Sequence, residues 1–184
     1  MPDTSAEGAP GVTLTGDRWQ IDIERIGDAG RTVAIAADDA ERAALAVALG
    51  LGACEAFDIH GELTRMLGAR FRLDATLEAR VVHTCVVSLE PVTQQIGERM
   101  TIEFWPPDQI AAEIFEPDDD GDPPEPIEND RIDLGRLAYE TLAIAIDPYP
   151  RKAGAAMDPQ IVADVARSGE GNPFRALAGL RDKT

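Results

Sequence analysis

The pair with the most obvious chemistry in the sequence is His83 and Cys85, two positions apart in a segment of alternating apolar and polar residues. Side chains two apart in a β-strand share a face, and a histidine beside a cysteine can activate a thiolate nucleophile. The rest of that face is Phe, Leu, Ala and Val, so we expect a buried Cys85 thiol with a raised pKa. Cys54 is interpreted in the same way, and core packing is favoured over a cysteine-dependent enzyme.

Metal binding and acid–base catalysis are the next chemistries to consider, because carboxylates are abundant. Residues 118–122 hold three aspartates followed by a glycine, but they lack the alternating ligand spacing and the terminal glutamate of a calcium loop. His60 lies on the polar side of a predicted strand with too few spaced partners for a metal. General acid–base work needs two carboxyl groups held at a fixed separation. We therefore expect no catalytic residue, no cofactor and no metal.

The acidic segment, residues 106–130, holds ten acidic side chains, six prolines and no lysine or arginine. Like charges at this density repel and prolines remove backbone donors, so the segment predicts a mobile arm between two packed parts. Such a polyanion can capture a lysine-rich partner and speed its encounter. A solubilising linker without a specific partner explains the same composition. The candidate partner-binding acids are Asp118, Asp119, Asp120 and Asp122.

Arginines of the middle third form the only predicted basic patch. They are Arg70, Arg72 and Arg80 on the polar face of one predicted strand, with Arg65 and Arg99 on its neighbours. Arg72 and Arg80 are candidates for contact with RNA phosphates. Asp74 and Glu78 lie on the same face, so cross-strand ion pairing explains the arginines without RNA. The ion-pairing interpretation is favoured, and direct RNA binding stays open as an alternative.

An antiparallel sheet is the element that must position these groups. Alternating residues predict strands from Arg18 to Ile26, from Thr32 to Ala36 and from Phe57 to Leu63. The clearest pattern runs from Phe71 to Cys85, and a further strand spans Val92 to Phe104. Three such strands in succession indicate a meander with one solvated face.

Helix signals flank this sheet. The predicted helices span 38–49, 133–146, 159–168 and 172–180. Aspartates can cap the first two, and an Asp-Pro or Asn-Pro pair begins the last two. The terminal helix carries the apolar side chains Phe174 and Leu177, which either dock on the sheet or contact a partner.

The whole composition limits the function classes. With 184 residues and a net charge of −17, the chain is poorly suited to wrapping nucleic acid, and a basic partner fits better. Its two cysteines form no metal motif and predict a reducing compartment. No signal peptide or membrane span is apparent, so we expect a cytoplasmic protein with no membrane partner.

Four segments follow one another in the second half of the chain: His83 to Pro91 around Cys85, the acidic segment, Ile132 to Pro150, and Asn172 to Leu180. In this order they resemble the YceD family, the large ribosomal RNA subunit accumulation proteins. Many members have a second cysteine three positions after the first and further cysteines after the helix, a set able to hold a metal. Here Ser88 and the cysteine-free run 151–157 stand in those places, so a four-ligand zinc site is not expected.

We therefore predict an α+β fold, an antiparallel meander with helices packed on one face. The predicted organisation is a disordered lead-in over 1–13, a single domain over 14–151 that includes the acidic flexible loop, and a helical tail over 152–184.

The resemblance implies a non-enzymatic ribosome-biogenesis factor that supports accumulation, processing or stability of large-subunit ribosomal RNA. Its expected partner is a basic ribosomal protein or an rRNA-processing factor, with RNA contact indirect or weak. A direct RNA-binding module using the arginine face is the alternative, and a cysteine-dependent enzyme is the remote one.

Overall fold

The structure of the chain, a computed structural model, describes residue 14 and residues 16–112, 123–156 and 159–168. In chain order its strands are β1 (Gln20–Asp22), β2 (Arg31–Ala36), β3 (Ala53–Arg65), β4 (Phe71–Thr84), β5 (Pro91–Trp105), β6 (Glu125–Pro126) and β7 (Arg131–Asp133). Its helices are α1 (Asp39–Ala48), α2 (Pro107–Ala112), α3 (Leu134–Ala145) and α4 (Pro159–Ser168).

The main sheet has five strands in the order β2-β3-β4-β5-β6. The first four pair antiparallel with their neighbours, and β6 runs parallel to β5. The fold is therefore α+β with a mostly antiparallel sheet, which confirms the predicted class.

Strand β4 lies at the centre of this sheet and alternates as predicted. Every second residue from Phe71 to His83 is buried, and the residues between them are exposed or half-buried. Leu77 lies directly opposite Ile59 of β3, and both are fully buried. Full burial of one such side chain contributes roughly 1.5–3 kcal/mol. We call this buried side the apolar face and the solvated side the open face.

Helices α1 and α3 pack against the apolar face, as predicted. Asp38 caps α1 by accepting a hydrogen bond from the Glu41 backbone N–H at 2.9 Å, and the Glu41 side chain accepts one from the Asp38 N–H. Asp133 caps α3 by accepting from the Arg136 N–H at 2.9 Å. Leu45 of α1 and Leu142 of α3 are both fully buried in the same core as β4.

The predicted strand from Arg18 to Ile26 is correct only in part. Strand β1 pairs with β7 in a separate two-stranded sheet, with Ile21 opposite Ile132. Residues Ile23–Arg25 form a short 3₁₀ turn instead of continuing the strand. The Asp22 carboxylate accepts from the Glu24 N–H, and such local bonding competes with strand pairing.

The acidic segment is more ordered at its ends than the predicted arm. Its start forms helix α2, and its end forms β6 beside Trp105. Ile127 is buried at 7% exposure, and its N–H donates to the Trp105 carbonyl at 3.0 Å. The prolines at the start of the segment suit the first turn of α2. At the other end, Ile127 stabilises the fold by joining the core. Both ends of the segment therefore pack against the sheet, unlike the predicted arm, and residues 113–122 lie outside the described residues.

The predicted short helix after Asp158 is confirmed by α4. The predicted lead-in over 1–13 and the predicted terminal helix over 172–180 lie outside the described residues. Within the described part of the chain, no helix has the length and apolar character needed to cross a membrane.

Candidate interaction surface

The open face carries most of the charged side chains of β3, β4 and β5, and directly paired residues of neighbouring strands share a side of the sheet. Three of these are guanidinium groups, on Arg72, Arg80 and Arg99. Five are carboxylates, on Asp58, Glu62, Asp74, Glu78 and Glu103. The face is therefore acidic overall, and its field opposes the approach of RNA phosphates.

Arg72 and Arg80 have different surroundings on this face. Arg72 Nε donates to Asp74 Oδ2 at 3.1 Å, an ion pair along one strand where the sequence predicts a pair across strands. Arg80 lies opposite Ala56 and Gln95, and among the described residues it has no ion pair. The ion-pairing interpretation thus accounts for Arg72 and leaves Arg80 unexplained.

Two arginines of the predicted patch have structural roles elsewhere. Arg70 stacks on the Trp105 ring, with its guanidinium carbon 3.5 Å from the ring centroid. Arg65 lies opposite Phe71 on the rim of the apolar face, where it donates to the Ile26 carbonyl at 3.0 Å. Arg65 therefore does not belong to the open face, because register sets its side of the sheet.

The acidic segment leaves and returns at one place, the end of β5. Gln109 of α2 accepts from Arg70 Nε at 2.7 Å and donates to the Gly68 carbonyl at 2.6 Å. On the return, Glu125 pairs with Arg136 at 2.6 Å, and Arg136 also pairs with Glu140 at 3.0 Å. Residues 113–122 therefore connect two segments that are fastened beside the same strand end.

Of the predicted partner-binding residues, six lie outside the described part of the chain. They are Asp118, Asp119, Asp120, Asp122, Phe174 and Leu177. The structure brings Arg72 and Arg80 to one face and describes the segments that flank the four aspartates.

Cys85 is the most unusual titratable group in the described residues. Its side chain is fully buried, and Sγ accepts hydrogen bonds from the backbone N–H groups of Val87, Ser88 and Lys152 at 3.3 to 3.4 Å. The Lys152 N–H first, and then the hydroxyl and N–H of Ser88, lower the pKa of the Cys85 thiol from 9.0 to about 6. The predicted rise is wrong because these donors outweigh burial.

The other predicted features of the cysteines are partly confirmed. Burial raises the pKa of Cys54, with a smaller opposing effect from Arg42, as the sequence predicts. His83 is buried as predicted, but its Nε2 lies 2.8 Å from Gln94 Oε1. Within the described residues no hydrogen bond joins His83 to Cys85. The hydrogen bonds to Cys85 and the contact between His83 and Gln94 fix the turn between β4 and β5.

The residues around Cys85 do not fit a four-ligand metal site. Cys85 is the only thiolate there, and no cysteine occurs in the neighbouring run 151–157. The Ser88 hydroxyl is buried close to Cys85 but makes no well-formed hydrogen bond among the described residues. The turn is closed instead by the Val86 N–H donating to Pro150 at 3.0 Å and by the Lys152–Glu90 ion pair at 3.1 Å.

One group of side chains on the open face was not predicted from the sequence. Side-chain ligand atoms of Asp58, His60 and Glu78 all lie within 4.8 Å of one another. Asp58 and His60 share a face of β3, and Glu78 lies directly opposite Asp58 on β4. The register between β3 and β4 is the information that would have predicted this group. The alternation within each strand does not show which residues of the two strands lie opposite each other.

The segment Ile132 to Leu137 has structural explanations for its residue types. Ile132, Leu134 and Leu137 are buried. Gly135 is required by close approach: a Cβ at this position would lie 2.3 Å from the Leu14 carbonyl oxygen. These residues of the segment therefore build the fold.

A comparison with known proteins finds a family match that includes the segments of the predicted resemblance. The family model described as large ribosomal RNA subunit accumulation protein YceD matches residues 73–181. No curated protein and no solved structure matches the chain significantly. The family match begins within β4, ends at residue 181, and includes both the Cys85 turn and the acidic segment. Because it covers more than half of the 184 residues, the chain belongs to the YceD family, and this membership supports a role in accumulation of large-subunit ribosomal RNA.

Proposed function

We propose that the protein is a non-enzymatic ribosome-biogenesis factor that binds a basic ribosomal protein or an rRNA-processing partner through its acidic segment. One observation carries the proposal: ten carboxylates without a lysine or arginine lie in a segment fastened at both ends beside β5. We also propose a cytoplasmic location, because the family role requires contact with ribosome assembly.

Most of the described carboxylates in this segment are left for a partner. Of its described acids, Asp108, Glu125, Glu128 and Asp130, only Glu125 has an ion pair with another described residue. A concentrated polyanion attracts lysine-rich surfaces, accelerates encounter and competes with RNA for them. Attachment beside one strand end places the described acids at a defined end of the sheet.

A non-enzymatic role is supported by the surroundings of the one thiolate. Cys85 is fully buried, and His83, the neighbouring base, bonds to Gln94. A nucleophile must also be accessible to its substrate. The full burial of the Cys85 side chain restricts that access.

Direct RNA binding is the second candidate, and Arg80 is the observation that favours it. Arg80 and Arg99 are exposed on the open face and have no ion pair among the described residues. The five carboxylates of the same face oppose this candidate. We rank it below binding of a basic partner for that reason.

Phe174 and Leu177 extend the proposal to the terminal helix predicted from the sequence. An apolar stripe on a short helix beyond the sheet can add a hydrophobic contact to a partner already attracted by charge. Substitution of both residues by alanine should weaken partner capture and leave the folding of the sheet unchanged.

Complementation of a strain lacking the gene tests the proposal. The variant D118N/D119N/D120N/D122N should fail to restore the ratio of large-subunit to small-subunit rRNA. A control that removes four exposed acids elsewhere, E24Q/D28N/E55Q/E98Q, makes the same change in net charge and should complement. Full complementation by the first variant would contradict the proposed role of the acidic segment.

Affinity capture separates the two candidates. The immobilised wild-type chain should retain a basic protein from lysate after nuclease treatment, and the four-aspartate variant should not. The variant R72E/R80E should retain it as well as the wild type does. Capture of rRNA fragments that depends on Arg72 and Arg80, without retention of a basic protein, would favour the RNA-binding candidate instead.

A further inference from the structure

Two pairs of like charges face each other on the open face. Asp58 of β3 lies directly opposite Glu78 of β4, and Glu62 lies directly opposite Asp74. Directly opposed like charges destabilise a sheet, so each pair needs a compensating group. The two pairs share a sheet and a face and differ in what surrounds them.

The Glu62–Asp74 pair is compensated within the chain. Arg72 Nε donates to Asp74 Oδ2 at 3.1 Å, and the Thr101 hydroxyl donates to Asp74 Oδ1 at 2.9 Å. A guanidinium and a hydroxyl therefore offset the negative charge of one member.

The Asp58–Glu78 pair has no such compensation. Among the described residues, no arginine or lysine lies within ion-pair distance of either carboxylate. One neighbouring side chain is His60, whose Nδ1 is 3.7 Å from Asp58 Oδ2. Arg80 lines the same surface pocket as the two carboxylates but forms no ion pair with Asp58 or Glu78. An imidazole and two opposed carboxylates form a donor set that a cation would neutralise.

We propose that Asp58, His60 and Glu78 bind one divalent transition-metal ion. Their ligand atoms lie within 4.8 Å of one another, and atoms bound to one zinc ion lie about 3.3 Å apart. Small side-chain rotations close this gap, because the His60 side chain is 54% exposed and that of Asp58 is 39% exposed. Gly97, opposite Glu78 on β5, leaves open space beside the group.

The donor types select the class of ion. Imidazole suits zinc, copper, iron and nickel, whereas magnesium prefers a full shell of oxygen ligands. Three protein ligands leave a coordination position for water or for a side chain of another molecule. The site is separate from the acidic segment and does not depend on the proposed function.

Imidazole NMR provides a test that the other carboxylates do not obscure, because the chain has only two histidines. One equivalent of ZnCl₂ added to the metal-free, ¹⁵N-labelled full-length chain should shift or broaden the His60 ring signals. The His83 signals should stay unchanged, since His83 is buried and bonded to Gln94. MgCl₂ at the same concentration should leave both histidines unchanged.

Two single substitutions complete the test. Glu78→Gln should weaken zinc binding at His60 by at least about tenfold, because it removes a ligand. Glu62→Gln, which makes the same charge change in the compensated pair, should leave the affinity unchanged. The proposed site would be overturned if the His60 signals stayed unperturbed until zinc had saturated the rest of the protein. It would also be overturned if magnesium shifted the His60 signals as much as zinc does, or if both substitutions lowered the zinc affinity equally.

Discussion

The two ends of strand β5 differ in how the chain treats its polar groups. At the start, beside Pro91, the preceding turn is closed by hydrogen bonds to Cys85 Sγ and by the Lys152–Glu90 ion pair. At the end, beside Trp105, the chain leaves into the acidic segment and returns with most of the described acids unpaired. One end uses its charges internally, and the other presents them to solvent.

This difference indicates where a partner would bind. Both ends lie within the region matched by the family model, so family membership alone does not distinguish them. Polar groups that satisfy one another contribute to stability and have little left to offer a ligand, whereas unpaired charge creates a long-range field. We therefore propose that the groups at the first end serve folding and that those at the second end serve recognition of a partner.

Helix α3 connects the two ends of β5, so a defect at the start of this helix should destabilise both ends. Gly135→Ala would bring a Cβ to 2.3 Å from the Leu14 carbonyl oxygen, and backbone has little room to move. Overpacking of this kind typically costs about 1–3 kcal/mol and sometimes more. We expect a loss of at least about 2 kcal/mol in the free energy of unfolding, measured by urea denaturation.

Gly97→Ala is the matched control for this substitution. An added Cβ at Gly97 would meet nothing within 4 Å, so the free energy of unfolding should change by less than about 0.5 kcal/mol. Equal effects of the two substitutions would mean that close approach at Leu14 does not explain Gly135.

The alternation of single strands and the caps of single helices could be read from the sequence. Strand β4 follows its predicted pattern because one face is buried and the other solvated along its whole length. Asp38 and Asp133 cap helices as predicted because capping depends on residues within one turn. Local signals were sufficient wherever the deciding contacts were local.

The predictions fail where contacts between residues far apart in sequence determine the structure. The return of Ile127 to Trp105 and the hydrogen bond from Lys152 to Cys85 join residues far apart in sequence. The grouping of His60 with Glu78 likewise depends on the register between two strands. The charge density of a segment and the alternation of its apolar residues carry no information on such contacts. The packed ends of the acidic segment, the lowered pKa of Cys85 and the grouping of Asp58, His60 and Glu78 were therefore not predicted.

The pH dependence of stability tests whether the hydrogen bonds at the start of β5 serve folding. The pKa of Cys85 is lowered from 9.0 to about 6 in the folded chain. The folded state therefore favours the thiolate, and the resulting stabilisation is complete above pH 9 and lost as the pH falls through 6. Between pH 6 and 9, the wild-type chain should gain stability relative to Cys85→Ala, as measured by urea midpoints.

Cys54→Ala is the control thiol, because burial raises the pKa of Cys54. A raised pKa stabilises the folded state at low pH and loses that contribution as the pH rises through the folded value. The difference between wild type and Cys54→Ala should therefore show no gain between pH 6 and 9. A flat difference for Cys85→Ala would contradict the role of thiolate hydrogen bonds in closing the turn.

The smallest expected effect concerns the ion pairs that hold the returning acidic segment beside the end of β5. Arg136 joins Glu125 of β6 to Glu140 of α3, and all three side chains are partly exposed, so Arg136→Gln should lower the free energy of unfolding by only about 0.5–1 kcal/mol. Its local consequence should be more specific. Hydrogen exchange at the Ile127 amide, which donates to Trp105, should become faster, while exchange at the Val86 amide, which donates to Pro150, should stay unchanged. Arg72→Gln removes an exposed arginine ion pair of the open face and should alter neither amide. Faster exchange at both amides would mean that the two ends of β5 open together and that Arg136 does not fasten the acidic segment independently.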